Sequence, residues 1–128
     1  MKHNSNFKYD LEFGKVGEQV VADIVAGDRT EVKSERDIWV ESGNHFVETQ
    51  SRGKPSGIMT TESKYWAINF YKNNKFVFNI SVPTSSLKRM ILEDNKYRRV
   101  PGGDANTSWG VLVPIVDIIK KLGGYIDD

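Results

Sequence analysis

Acidic side chains alternate with other residues along two runs that have the pattern of β-strands, and this feature constrains the fold most. The first run is RTEVKSERDIWV at residues 29–40, and the second is HFVETQ at residues 45–50. Successive side chains of a strand point to opposite faces of its sheet. The first strand is therefore expected to carry its acids and its lysine on one face, namely Glu31, Lys33, Glu35 and Asp37.

The Ser-Gly-Asn sequence between the two runs predicts that they pair as a β-hairpin. With a turn centred on the Ser-Gly pair, Asp37 would lie opposite Glu48, and Lys33 would lie at the far end of the same face. Glu48 and Gln50 are two residues apart, so they are expected to share a face of the second strand. A slip of one residue would turn a strand over, so this arrangement depends on the register.

The other segments predict a mixture of helices and strands. Helices are expected at residues 11–25, 61–71, 83–94 and 114–122, and further strands at residues 75–82, 96–100 and 111–114. This order indicates an α/β or α+β fold with a single mixed central sheet flanked by helices. The length of 128 residues suits one domain over residues 1–128.

Composition narrows the function classes. The chain has no cysteine, which excludes disulfides and zinc–thiolate sites, and its two histidines disfavour a multi-histidine metal site. A net charge of +1 means that any nucleic-acid surface must be a local patch. The sequence has neither an apolar run long enough to span a membrane nor the apolar stretch of a secretory signal near residue 1. These features predict a soluble protein of the cytoplasm.

Carboxylates that converge on one sheet face repel each other unless a cation neutralises them. A hard divalent cation such as Mg²⁺ needs only one or two carboxylates, with waters and substrate phosphates completing its shell. A nearby lysine would orient or deprotonate a water, or stabilise charge on a phosphate. The alternative is that the acids alternate with Lys33 and Arg36 as an exposed, salt-bridged strand face. For Glu18, beside the predicted buried face of the first helix, the alternative is a solvated edge glutamate.

The run RDIWVESGNHFVETQS resembles the metal-binding hairpin of the phage junction-resolving endonucleases, which belong to the PD-(D/E)XK nuclease superfamily. Members of that superfamily combine a glutamate on the first helix with an aspartate on one strand and a Glu-x-Lys on the next. The resemblance implies that Glu18 is the helix acid, Asp37 the strand acid and Glu48 the second metal ligand. This sequence departs from the pattern at Arg36, where proline is usual, and at Gln50, where the lysine stands.

A second registration uses TEVKS, in which Glu31 and Lys33 form a Glu-x-Lys similar to that of archaeal resolvases. The segments GEQVVADI, EVKSE, SGNHFVE and GGDANTS also resemble small phage proteins of the same superfamily. The two registrations can be reconciled, because Lys33 is expected on the strand next to Glu48 and would there supply the amine that Gln50 lacks. The strand acid stays open among four residues, namely Asp23, Asp28, Glu35 and Asp37.

The resemblance implies a restriction-endonuclease-like core and a DNA endonuclease dependent on Mg²⁺ or Mn²⁺, which would act on branched or phage DNA and would form a homodimer. The implied catalytic residues are Glu18, Lys33, Asp37, Glu48 and Gln50, and the implied metal ligands are Asp37, Glu48 and Glu31. The alternative function is a catalytically weak nuclease-fold protein that binds DNA or a phage partner protein.

Four cationic residues are candidates for contacts with the DNA backbone. Arg52 and Lys54 follow the Glu48 strand in a loop rich in glycine, serine and proline, and Arg98 and Arg99 lie on a later strand. Such side chains hold phosphates without reading the base sequence. The alternative for each is a solvated cation.

Overall fold

The computed structural model describes residues 7–126. Its helices are α1 (Phe7–Ala26), α2 (Ile38–Ser42), α3 (Thr84–Asp94) and α4 (Ile115–Lys121), with 3₁₀ turns at Gly57–Met59, Asp104–Asn106 and Leu122–Tyr125. Its strands are β1 (Thr30–Arg36), β2 (Asn44–Ser51), β3 (Lys54–Pro55), β4 (Tyr65–Lys72), β5 (Lys75–Pro83), β6 (Arg98–Gly102) and β7 (Ser108–Pro114). Over the described range, no helix is both long and apolar enough to cross a membrane.

The strands form two sheets. The mixed sheet has the order β1-β4-β5, with β1 parallel to β4 and β5 antiparallel to it. The antiparallel sheet has the order β3-β2-β7-β6. The predicted α+β class is therefore confirmed, whereas the prediction of a single central sheet is wrong.

The predicted hairpin between β1 and β2 does not form. Residue Asp37 has a positive φ of 44°, which ends β1 and starts the short helix α2, and Gly43 in the left-handed region ends that helix. β1 pairs with β4, and β2 pairs with β7 and β3, so Asp37 does not lie opposite Glu48. The local alternation of residues 29–40 could not reveal these partners, because they are distant in the sequence.

The segment predicted as a helix at residues 61–71 forms strand β4 instead. Its large apolar residues Trp66, Ile68 and Phe70 are two apart, and all three are fully buried. The turn to β5 uses Asn73 and Asn74, both with positive φ, which is the geometry of tight two-residue hairpins. The other predicted elements agree with α1, β2, β5, α3, β6, β7 and α4 to within a few residues.

The hydrophobic core combines side chains from both sheets with those of α3 and α4. Its fully buried members include Val47, Ile58, Trp66, Ile68, Phe70, Leu87, Met90 and Val113. From residue 11 onward, helix α1 contributes no side chain to this core. Its side chains from residue 11 to residue 23 are exposed, so the predicted buried face of the first helix is not observed.

Candidate functional site

A cleft of about 200 Å³ opens where β1 of the mixed sheet meets β2 of the antiparallel sheet. We call it the seam cleft, and its lining residues are Lys33, Ser34, Glu35, His45, Phe46 and Glu48. Strand β1 is the outer strand of its sheet. The first part of β2 pairs with β7 on one side only, because β3 pairs only with its last two residues. The seam cleft therefore lies between two sheet edges.

Glu35 connects the two sheets at this seam. Its Oε2 accepts a hydrogen bond from the backbone N–H of Phe46 at 2.7 Å and lies 2.5 Å from Nδ1 of His45. The indole Nε1 of Trp66 donates to Nε2 of the same histidine at 3.0 Å. Because an indole N–H can only donate, Nε2 is the acceptor and Nδ1 carries the proton that faces Glu35. At the open edge of β2, the Glu35 carboxylate thus accepts a backbone hydrogen bond that a neighbouring strand would otherwise accept.

Lys33 lies on the same face of β1 as Glu35, two residues before it. Its Nζ is 5.2 Å from the centroid of the Trp66 ring, within the range of a cation–π contact. The side chain is half-buried. The aromatic ring therefore restricts where the ammonium group can lie beside the seam cleft.

Glu48 enters the seam cleft from β2. Its Oε2 accepts a hydrogen bond from the Ser56 hydroxyl at 2.9 Å. Gly57, which has a φ of +59°, packs so closely against the backbone of Glu48 that an added Cβ would collide with its carbonyl oxygen. Within residues 7–126, Oε1 of Glu35 and Oε1 of Glu48 accept no hydrogen bond. Each acid therefore has one carboxylate oxygen without a hydrogen-bond donor from this part of the protein.

Gln50 does not line the seam cleft, because a β-bulge separates it from Glu48. Glu48 pairs with Gly110 and Gln50 pairs with Trp109, which leaves Thr49 as the extra residue of the bulge. Gly110 and Trp109 are consecutive, so their partners point to opposite faces. The prediction that Glu48 and Gln50 share a face is therefore wrong.

Gln50 instead contacts Arg99. Its Oε1 accepts a hydrogen bond from Nη2 of Arg99 at 2.6 Å, and the Arg99 guanidinium lies 4.2 Å from the centroid of the partly exposed Trp109 ring. At the position where the resemblance predicts a lysine, this chain therefore has the amide of Gln50, which forms a hydrogen bond with Arg99.

The other predicted acids have separate surroundings. Asp37 accepts a hydrogen bond from the backbone N–H of Asn73 at 2.7 Å, beyond the end of β1. Glu31 lines a different cleft, beside the segment that precedes β4, and Glu18 lies on the exposed helix α1. The structure therefore does not bring Asp37, Glu48 and Glu31 together as a ligand set. No group of three or more acids or histidines placed to hold a metal occurs in the described part of the chain.

Of the four candidates for the strand acid, Glu35 is the one that lines the seam cleft. Asp28 lines the cleft of Glu31, and Asp23 accepts a hydrogen bond from Gln19 on α1 at 2.9 Å. His45 is 1% exposed and was not among the residues predicted for the site. His45 lies two residues before Val47 on a strand, and residues two apart on a strand share a face. The apolar Val47, which is buried, was therefore the signal that His45 faces the core.

The four predicted DNA contacts lie on two surfaces. Arg52 and Lys54 are exposed at the turn between β2 and β3, where the Arg52 N–H donates to the carbonyl of Thr107, next to the start of β7. Arg99 lies near this end of the sheet, against Trp109. Arg98 points to the opposite face of β6, where it lines a cleft with Tyr97 and Asp117.

Tyr97 belongs to a second polar cluster, which lies outside the seam cleft. Its hydroxyl lies 3.0 Å from Oδ2 of Asp117 and 3.3 Å from Oδ2 of Asp94. Burial raises the pKa of the Tyr97 hydroxyl, and the two carboxylates raise it further, because they accept its hydrogen bonds and repel a phenolate.

No protein-family model, curated protein or solved structure matches this chain. Support for a function therefore comes from the residues of the seam cleft and its surroundings.

Proposed function

We propose that the protein is a metal-dependent DNA endonuclease that hydrolyses phosphodiester bonds in the seam cleft. The observation that supports this function is the meeting of Lys33, Glu35 and Glu48 in one cleft, although they come from two different sheets. Carboxylates hold divalent cations, and a lysine beside them can stabilise the charge of a phosphate in the transition state. The restriction-endonuclease-like core and the action on branched or phage DNA remain parts of this proposal.

The donor set fits Mg²⁺ or Mn²⁺ as an ion shared with the substrate. Glu35 and Glu48 each have one unengaged oxygen, and Mg²⁺ sites in phosphoryl-transfer enzymes commonly use one or two carboxylates together with substrate phosphates. When bound there, the ion would polarise the phosphate and lower the pKa of a bound water. With only two carboxylates lining the seam cleft, we expect weak metal binding in the absence of DNA.

The protein groups around the acids have positioning roles. His45 and the Phe46 N–H hold one oxygen of Glu35, and Ser56 holds one oxygen of Glu48, so both carboxylates have restricted orientations. Lys33, guided by the Trp66 ring, would neutralise charge that develops on the phosphate. Lys33 would thereby provide the amine that is missing at Gln50.

The test is cleavage of plasmid DNA and of a four-way junction in the presence of Mg²⁺ or Mn²⁺. Glu48→Gln keeps an acceptor for Ser56 but removes the charge, and Lys33→Met keeps the apolar stem against Trp66 but removes the ammonium. Each change should lower the single-turnover rate by about a hundredfold or more, with little loss of DNA affinity. Glu31→Gln, a matched change on the same strand outside the seam cleft, should cleave normally. Equal rates for Glu48→Gln and Glu31→Gln would refute the proposed site.

A second candidate function is DNA binding with little or no catalysis. It is favoured by two observations: within residues 7–126 no group of three acids is placed to hold a metal, and Gln50 binds Arg99 instead of serving in the seam cleft. A wild-type protein that binds DNA but leaves plasmid and junction uncut in both metals would favour this function over the nuclease.

DNA binding itself has a separate test. Arg52, Lys54 and Arg99 surround one end of the antiparallel sheet, whereas Arg98 lies on the other face. Replacing any of the first three by alanine should weaken binding to all DNA sequences and reduce the salt dependence by about one unit per lost phosphate contact. Arg98→Ala tests the opposite face of the sheet, which Arg98 shares with Phe46 and Glu48 because Arg98 and Phe46 both pair with Leu112. A salt dependence that changes only in Arg98→Ala would place the DNA on that face and away from Arg52, Lys54 and Arg99.

A further inference from the structure

An aromatic side chain is exposed at one end of the antiparallel sheet, on the face that elsewhere packs into the core. Residues two apart on a strand share a face. Along this face of β7, Val113 is fully buried, Val111 is half-buried and Trp109 is 36% exposed. Trp109 therefore lies past the edge of the core, and part of its large ring surface faces solvent.

Two polar side chains lie on the same face as this ring. Gln50 and Pro101 pair with Trp109 from the neighbouring strands, and Arg99 precedes Pro101 by two residues. The Arg99 guanidinium lies over the Trp109 ring, 4.2 Å from its centroid, and its Nη2 donates to Oε1 of Gln50 at 2.6 Å. A planar guanidinium stacks well on an aromatic ring. We call the side chains of Gln50, Arg99 and Trp109 the Trp109 platform.

The platform lies in a positively charged surface. Within residues 7–126, no carboxylate forms a salt bridge with Arg99, or with Arg52 and Lys54 at the neighbouring turn. In the sequence, residues 49–55 and 99–109 carry these three cations and a single acid. The local excess of positive charge attracts anions to this end of the sheet.

An unpaired nucleotide of DNA combines the two features that this surface would bind. Its base has a flat face that can stack, and its phosphate is an anion. Proteins bind single strands by stacking bases on aromatic rings or guanidinium planes, with cations along the backbone. Bases inside a duplex are stacked on their neighbours, so a base has to leave the stack before a protein can contact its face.

Two other kinds of partner fit this surface less well. A proline in an edge strand disfavours the addition of a further strand from another protein. Both outer strands have a proline beside the platform, namely Pro55 on β3 and Pro101 on β6. Binding to a membrane surface generally uses a broad apolar face, whereas the platform has one aromatic ring between polar side chains.

We propose that the Trp109 platform binds an unpaired nucleotide of DNA, with the base stacked on the Trp109–Arg99 pair and the phosphate held by the neighbouring cations. This inference rests on the DNA binding of the proposed function and adds the substrate class, namely DNA with unpaired nucleotides. Action on branched DNA does not imply it, because a fully paired four-way junction has no unpaired base. Gln50 lies two residues after Glu48 on β2, so the platform begins about 7 Å along the strand from the proposed cleavage site.

The first test is tryptophan fluorescence in the absence of metal, so that cleavage does not contribute. Among the three tryptophans of the chain, Trp66 is fully buried, and Trp39 is half-buried with its indole N–H bonded to the Tyr71 carbonyl. Trp109 is therefore the tryptophan placed to meet a base. A short oligothymidylate should quench the emission as it binds, whereas a relaxed circular plasmid, which has no ends, should not. Trp109→Leu should show no quenching.

The second test measures affinity from the fluorescence anisotropy of a labelled oligothymidylate. Trp109→Leu should lose about fivefold or more in affinity, which is the effect of removing one base–aromatic stack, and Trp109→Tyr should retain most of it. Phe76→Leu is the matched control, because it removes another exposed aromatic ring, on β5, and it should bind like the wild type. Arg99→Lys keeps the charge but not the plane, so it should bind more weakly with an unchanged salt dependence.

The outcomes separate this inference from the proposed function. Wild type that binds the oligothymidylate without quenching, or no more tightly than a duplex of the same length, would overturn the platform and leave the nuclease proposal intact. An unchanged affinity in Trp109→Leu would do the same. Wild type that binds neither form of DNA would refute both proposals. Emission that responds to phosphatidylglycerol vesicles but not to DNA would overturn the platform in favour of a membrane surface. Circular dichroism of each variant confirms that it is folded.

Discussion

Replacing Glu35 by alanine should destabilise the protein strongly, because this carboxylate serves two donors at the junction of the sheets. The variant would leave the backbone N–H of Phe46 and the Nδ1–H of His45 without their acceptor. His45 cannot turn to find another partner without giving up the hydrogen bond from Trp66. The change therefore affects the contact between the two sheets and not a single side chain.

The size of the effect follows from the two lost bonds. An unsatisfied buried donor costs about 1–3 kcal/mol, and Glu35 is 18% exposed, so water can replace part of the loss. We expect the free energy of unfolding to fall by about 2–4 kcal/mol for Glu35→Ala. Glu35→Gln keeps a neutral acceptor and should lose about 1 kcal/mol, the difference between a charge-assisted and an ordinary hydrogen bond.

The assay is urea unfolding monitored by circular dichroism. The midpoints are compared provided that the dependence of the unfolding free energy on urea concentration is the same in both proteins. Glu31→Ala is the matched control, since Glu31 lies on the same face of the same strand outside the network, and we expect a change within about 0.5 kcal/mol. If Glu35→Ala is as stable as Glu31→Ala, the carboxylate does not join the sheets and the reasoning fails.

Three further changes have expected outcomes that follow from the structure. Gly57→Ala should lower the unfolding midpoint, because the new Cβ would collide with the Glu48 carbonyl at a positive φ, and a melting temperature equal to that of wild type would contradict this packing. Gln50→Lys should leave the cleavage rate unchanged, because Gln50 faces Arg99 and not the seam cleft; a gain in cleavage rate would return Gln50 to the site. The raised pKa of Tyr97 means that its stabilising contribution is present below its ordinary pKa of 10 and is lost as the pH rises above it. The urea midpoint of wild type should therefore fall more steeply with rising pH above pH 10 than that of Tyr97→Phe. Parallel plots of midpoint against pH for the two proteins would contradict this contribution of Tyr97.

Local patterns in the sequence predicted the elements whose side chains have a clear period. Residues 75–82 and 83–94 were expected as a strand and a helix, and they form β5 and α3. The segment 61–71 was predicted as a helix with Trp66, Ile68 and Phe70 as its apolar residues, but the two-residue spacing of these side chains is that of a strand, and residues 65–68 are buried on both faces of β4. The prediction failed where local propensity was weaker than burial in the core.

The candidate site was predicted in part. Lys33 and Glu48 were expected in one site, and they line the seam cleft together, with Glu35 as the acid that the sequence left open. The hairpin register could not be foreseen, because the positive φ of Asp37 and the distant pairing of β1 with β4 are not local properties of the sequence. The bulge that turns Gln50 away from the seam cleft depends on the pairing of β2 with β7, and a local sequence pattern does not predict that pairing.

Binding of Mn²⁺ to the seam cleft tests the central claim most directly. Electron paramagnetic resonance can measure free Mn²⁺ in the presence of protein and a short DNA whose linkages resist hydrolysis. Wild type and Glu31→Gln should bind Mn²⁺ equally in this complex, and Glu48→Gln should lose most of the bound ion while still binding the DNA. Mn²⁺ binding that survives in Glu48→Gln, or that disappears in Glu31→Gln instead, would contradict a metal site formed by Glu35 and Glu48.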